Sequence, residues 1–286
     1  MQDASPSSNT TDGGDGGASA PFLAIFSAFP AETAPLLAKA TITSTQVING
    51  HTFRIGTLEG VHVAIGLTGM GLSAATATAH AVLAQLPVTG VVFSGVAGSK
   101  SRIGDVAVPT SWSLRTTATY APNAAWLNIA RSIVADGSLC LEKCTVVPAT
   151  GVPVCLDHVP AAGVGGVGQS DDLSTPVTCS NGGDDVFGCD VGTTAIAANQ
   201  CLPMGPPGAD AGADPIVTDN ETAAVAAEAA MRSLPFIAFR GVSDGSGDPL
   251  GLPGYPTQFF AYYRLAARNA AATTVAFVKR AGSTTP

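Results

Sequence analysis

Three stretches of this chain, "PFLAIFSAF" (21–29), "VTGVVFSGVAGS" (88–99) and "PFIAFRGVSD" (235–244), stay apolar without alternation for the length of a β-strand. A strand with one wet face alternates polar and apolar residues, so strands of this kind need cover on both faces. The segments between them supply that cover. "AETAPLLAKA" (31–40), "GLSAATATAHAVLAQL" (71–86) and "ETAAVAAEAAMR" (221–232) carry helical apolar spacing and strong helix formers. "HTFRIGTLEGVHVAIGLTG" (51–69) reads as two strands joined by "LEG", and "GDVAVPTSW" (104–112) as one short strand. The pattern predicts an α/β sheet with helices on both sides. In such sheets ligands bind beyond the carboxyl ends of the strands, so the residues just after each strand are the informative ones.

Between about 116 and 215 the pattern weakens. "AAWLNIARSIVADG" (124–137) is helical, but "PATGVPVCLDHVPAAGVGGVGQSDD" (148–172) and "STPVTCSNGGDDVFGCD" (174–190) are dominated by turn formers. Residues 173–214 read as an irregular insertion within one domain spanning 21–286. "PTQFFAYYRLAARNAAATTVAFVKR" (256–280) reads as a long helix whose first turns hold four aromatics. Residues 1–20, rich in Ser, Gly, Asp and Thr, read as a flexible leader without the charged head and apolar core of an export signal.

All six cysteines (Cys140, Cys144, Cys155, Cys179, Cys189, Cys201) fall within 140–201. An even, clustered count in a turn-rich segment is the pattern of a disulfide framework. Zinc needs tight paired spacings, and only "CLEKC" comes close, with His158 the sole nearby histidine. Disulfides imply an oxidising compartment, hence a secreted or periplasmic protein. The net charge of −8 argues against nucleic acid or an anionic membrane as partner, and no apolar run of about 18 residues offers a membrane span.

Charged residues make up only 12% of the chain, yet Arg240 interrupts the apolar strand 236–239. A buried guanidinium is costly without a carboxylate beside it. Glu221 and Glu32 are the candidates, and pairing with Glu221 is expected. Each residue also has a plainer reading. Thr218-x-x-Glu221 is a capping box, Asp244 before "GSGDP" is a turn former, Glu32 suits an exposed first helical turn, and Arg240 could snorkel from an edge strand.

Taken in order, "SAFPAE" (27–32), "TGMG" (68–71), "SGVAGS" (94–99), "TDNETAA" (218–224) and "FIAFRGVSD" (236–244) resemble the nucleoside phosphorylase/nucleosidase family, in its methylthioadenosine/S-adenosylhomocysteine nucleosidase-like branch. The resemblance covers 22–112 and 216–280. With its Cys-bearing insertion and "QFFAYYRLAARNAA" tail, the chain is similar to exported bacterial members and to plant bark storage proteins. This implies a three-layer sandwich with a central mixed β-sheet flanked by helices, and a homo-oligomer. It also implies a small-molecule purine nucleoside as substrate, with no cofactor and no metal.

By the same resemblance, Asp244 protonates the leaving purine and Glu32 activates the attacking water. Glu221, with Arg240, holds the ribose hydroxyls. Phe29 and Met70 face the ribose and its 5′ substituent, with Asn220 where the family has methionine. Val96, Ala97, Gly98 and Ser243 line the same site, Tyr262 belongs to the aromatic group capping it, and "GGVGQSDD" (165–172) faces the base. Phosphorylases of the family bind phosphate with a serine or threonine at the position of Val96, so hydrolysis is expected. Phosphorolysis, or a nucleoside-binding or storage protein without activity, are the alternatives.

Overall fold

The computed structural model describes residues 21–114, 118–173, 177, 184–191, 201–203 and 216–283. Strand β1 (Phe22–Ser27) leads into α1 (Pro30–Leu37). Strands β2 (Thr41–Ile48), β3 (His51–Leu58) and β4 (Val61–Leu67) follow as an antiparallel meander, and α2 (Leu72–Gln85) returns the chain to β5 (Val88–Arg102). Three short strands, β6 (Val106–Val108), β7 (Ser111–Leu114) and β8 (Ala118–Tyr120), precede α3 (Ala124–Asp136). Then come β9 (Cys140–Glu142), β10 (Cys144–Val146), β11 (Pro153–Cys155), β12 (Ala162–Val164), β13 (Val167–Ser170) and β14 (Cys201–Pro203). The chain closes with β15 (Ile216–Asp219), α4 (Thr222–Met231), β16 (Phe236–Ser246) and α5 (Thr257–Gly282).

The main sheet runs β2-β3-β4-β1-β5-β15-β13-β7-β8, with β16 bridging β5 to β6 and β12 paired to β6. Strands β4, β1, β5 and β16 are mutually parallel, while β15 meets β5 antiparallel, so the sheet is mixed. The unbroken apolar runs are buried on both faces. Phe22, Ala24, Phe26, Phe236 and Ala238 join α2 and α4 in one core; Leu23, Ile25, Ile237 and Phe239 join α3 and α5 in the other. Alanines on the inner sides of α2 and α4 let these two helices pack closely over the sheet.

The structure departs from the sequence reading in several places. Strand β2 was not anticipated, because seven of its eight residues are exposed and show no apolar contrast. "SGVAGS" is not a turn: β5 continues through it to Arg102. Likewise β16 continues past Asp244 to Ser246, with a bulge between Val242 and Asp244. Part of the region expected to be irregular is ordered too, since β14 pairs with β9. The leader and most of 173–214, Cys179 included, lie outside the described residues.

Strands β10 and β11 have only three residues each, too few to hold a hairpin by burial alone. The Cys144–Cys155 disulfide joins them directly across the ladder. Cys140 and Cys189 are disulfide-bonded as well. A maleimide added to the denatured, unreduced protein is therefore expected to modify none of these four cysteines. Peptide mass mapping reads the outcome, and label at any of the four would contradict the pairing.

Candidate active site

Arg240 faces Gly95 across the β5–β16 ladder and is fully buried. Its Nε donates to Thr222 Oγ1 at 2.9 Å, its Nη1 to the Val96 carbonyl at 3.1 Å, and its Nη2 to Thr222 Oγ1 and to Asp219. The guanidinium lies over the Phe93 ring, 4.1 Å from its centroid. Gly95 makes this possible: a Cβ there would come within 2.2 Å of Arg240 Nη1 and 2.5 Å of Glu32 Oε1.

Asp219 is the direct partner, which corrects the expected pairing with Glu221. The carboxylates of Glu221 and Glu32 stand further off, at 3.8 and 3.7 Å. Asp219 also accepts from the hydroxyls of Ser170 and Thr222 and from the N–H groups of Glu221 and Thr222. It thus satisfies the first turn of α4, and the Thr218–Glu221 capping box does not form. Thr218 Oγ1 donates instead to the Gly98 carbonyl at 3.3 Å, and Glu221 Oε1 accepts from the Gly71 N–H at 2.9 Å. An aspartate three residues ahead of a threonine, at a strand-to-helix junction, was the available signal for this role.

Glu32 sits in the first turn of α1 but is buried, not exposed. Its Oε2 accepts from the Ala28 N–H at 2.6 Å and its Oε1 from the Val96 N–H at 2.7 Å. Burial drives its pKa up to about 7, while Arg240 and the two N–H donors hold it from going higher. Burial also pushes Glu221 well above the usual carboxylate range, reinforced by the charge of Asp219 and eased by Arg240. One guanidinium cannot balance three neighbouring carboxylates in a dry site, so a proton is retained among them near neutrality.

Asp244 emerges at the bulge of β16, a device that re-aims a side chain out of the ladder. It is half-buried; burial raises its pKa, and a 2.8 Å bond from Ser243 Oγ partly offsets that. The next N–H, of Gly245, donates to Gln258 of α5 at 2.9 Å, which fixes the strand end.

These groups meet at one cavity of about 640 Å³. Of the residues singled out in the sequence, Glu32, Asp244, Glu221, Asn220, Phe29, Met70, Val96, Ala97, Gly98 and Ser243 line it. Arg240 and Tyr262 do not. Arg240 lies behind the wall as a support for its carboxylates. Tyr262 packs with Ile103, Leu156 and Leu265, and its hydroxyl donates to Asp248. On α5 the helical turn sends position 262 to the core, while Phe259 and Phe260 reach the cavity together with Tyr255. Asp171 and Asp172 bring the end of "GGVGQSDD" to the wall. Val186 and Phe187, from the Cys-rich segment, complete it without any signal in the local sequence pattern.

The sequence model of the phosphorylase superfamily matches residues 22–153. An uncharacterized protein of Mycobacterium tuberculosis is 33% identical over 182 residues, covering 57% of this chain and 74% of that protein. Another from the same organism is 56% identical over 61 residues, 21% of this chain and 82% of that protein. Among solved structures, the 5′-methylthioadenosine/S-adenosylhomocysteine nucleosidase of Neisseria meningitidis, in complex with methylthio-immucillin-A, superposes with a TM-score of 0.61 at 17% identity, covering 91% of this chain and 99% of that one. The corresponding nucleosidase of Colwellia psychrerythraea, in complex with adenine, gives 0.62 at 18%, with 91% and 95% covered. The futalosine hydrolase of Helicobacter pylori gives 0.60 at 16%, with 90% and 97% covered.

Arg240→Met removes the only cation in contact with Asp219, Glu221 and Glu32 among the described residues. The folded-state pKa values of Glu32 and Glu221 then rise further above the unfolded ones, so the folded variant binds more protons and loses stability as pH increases. A loss of about 3–5 kcal/mol is expected near pH 8, shrinking towards pH 5 as the carboxylates are neutralised. Urea denaturation at both pH values measures it; an equal loss at the two would contradict the charge balance.

Proposed function

We propose that this chain, whose residues 22–153 match the phosphorylase superfamily, is an N-glycosyl hydrolase cleaving a purine nucleoside to free base and ribose. One observation carries this reading: Glu32 and Asp244, far apart in sequence, line the same cavity with Glu221 beside them. Breaking an N-glycosidic bond passes through an oxocarbenium-like sugar. Asp244, whose pKa burial raises with no cation opposing it, is the group placed to protonate the purine nitrogen, so that the base leaves neutral. Glu32 takes a proton from the water that attacks the anomeric carbon. Glu221 accepts from the ribose hydroxyls, and Arg240 with Asp219 keeps it in place from behind.

The cavity wall favours water over phosphate as the nucleophile. Glu32, Asp171, Asp172, Asp219, Glu221 and Asp244 line it, and among the described residues no lysine, arginine or histidine does. A phosphate dianion would meet carboxylates without a countercharge. Val96 offers it no hydroxyl. The nucleosidases and the futalosine hydrolase that share the fold support a hydrolytic reading. Asn220, polar at the sugar, favours ordinary nucleosides such as adenosine and inosine alongside methylthioadenosine. The disulfides support a secreted or periplasmic location.

Incubation with adenosine, inosine and methylthioadenosine, with and without phosphate, should release free base in amounts independent of phosphate, as read by chromatography. Asp244→Asn should lower kcat by at least ~10²-fold with the fold intact; unchanged release would end the assignment. Because Glu32 must be ionised to accept a proton, kcat/KM should rise with pH through about 7. A profile flat across that region would remove Glu32 as the base.

A further inference from the structure

We infer that residues 184–191 are a strap that forms one wall of the cavity, latched by Asp185, and that Val186 and Phe187 on it limit the size of the substrate end facing the aromatic cluster of α5. The inference rests on the reading of the cavity as a nucleoside site, and it adds residues that neither the sequence pattern nor the mechanism above uses.

The latch is dense for so short a segment. The Asp185 carbonyl accepts from the Ala31 N–H at 2.7 Å, while its carboxylate accepts from Tyr263 Oη at 2.8 Å and from Arg264 Nε at 2.6 Å. Charge-assisted bonds of this kind are the strong ones. Asp184 Oδ1 accepts from the N–H groups of Val186 and Phe187, which preforms the turn presenting them. At the far end both oxygens of Asp190 meet Arg54 Nη2, at 3.1 and 3.0 Å, and Cys189 is disulfide-bonded. The strap is therefore tied to α1, α5 and β3.

Two consequences follow from where these ties lie. Ala31 immediately precedes Glu32, so the Asp185 carbonyl steadies the turn that carries the proposed base. Tyr263 and Arg264 stand on the same helix as Phe259 and Phe260, so strap and aromatic cluster are fixed to one rigid element. Val186 is 4% exposed and belongs to the larger core, whereas Phe187 is 38% exposed and meets Phe260 at 6.4 Å between ring centroids. Val186 and Phe187 make this part of the lining apolar, which suits a neutral substituent of limited bulk.

The test compares adenosine, 5′-methylthioadenosine and 5′-benzylthioadenosine. Phe187→Ala, at a partly exposed position, should raise kcat/KM for the benzylthio probe relative to adenosine about tenfold, the order expected for reshaping an apolar pocket, with the change in KM. An unchanged ratio overturns the size limit. Asp185→Ala should speed hydrogen exchange of the Ala31 amide at least tenfold; exchange as slow as in the wild type overturns the latch. Release of base by the wild type tests the activity itself, and the exchange measurement judges the strap whether or not base is released.

Discussion

A guanidinium with no access to water organises this molecule. Arg240 is held by Asp219, Thr222 and the Val96 carbonyl, with Glu32 and Glu221 as looser ion-pair partners at 3.7 and 3.8 Å. These partners come from α1, β5 and the β15–α4 junction, and Arg240 itself from β16, so one side chain ties the first and last thirds of the chain together. Burying such a group is weak evidence for stability, because desolvation offsets much of the Coulombic gain. Its effect is positional. Carboxylates that surround a fixed cation, each with its own N–H or hydroxyl donors, have little freedom to turn away from the cavity.

The same arrangement separates two acids that would otherwise be equivalent. Glu32 has a cation nearby and two backbone N–H donors, all of which favour its ionised form against the cost of burial. Asp244 has burial against ionisation and only the Ser243 hydroxyl in favour. A pair of carboxyls in unlike environments is how one site holds both a proton donor and a proton acceptor. Here Asp244 lies four residues further along β16 than Arg240, past the bulge, and no cation is among the groups that shift it.

Much of this was legible in the sequence, for identifiable reasons. Strands β1, β5 and β16 are buried on both faces, and an unbroken apolar run has no other use in a chain of this composition. Strand β2 was illegible because exposure on both faces leaves it no pattern. Arg240 announced a buried carboxylate by its cost alone, but nothing in the sequence reading singled out Asp219, and only its hydrogen bonds distinguish it from Glu221 two positions on. Tyr262 was misplaced because four aromatics in five positions point around a helix, and their register against the cavity depends on how α5 packs. Val186 and Phe187 carry no periodic signal, since contacts with other elements and not local propensity place the strap.

The cavity that results is electrostatically lopsided. A chain with only 21 acidic residues sets six of them around this cavity, without a cation among the described residues that line it, together with aromatic and aliphatic side chains. A neutral nucleoside gains little from such a field. A sugar on which positive charge is developing gains much more, because the dipoles and charges are already in place and water has been displaced from around them. Stabilisation that appears only as the bond breaks raises the rate without tightening ground-state binding. The excess of negative charge, which weakens the folded state through self-repulsion, is therefore the property that a glycosidic transition state can use.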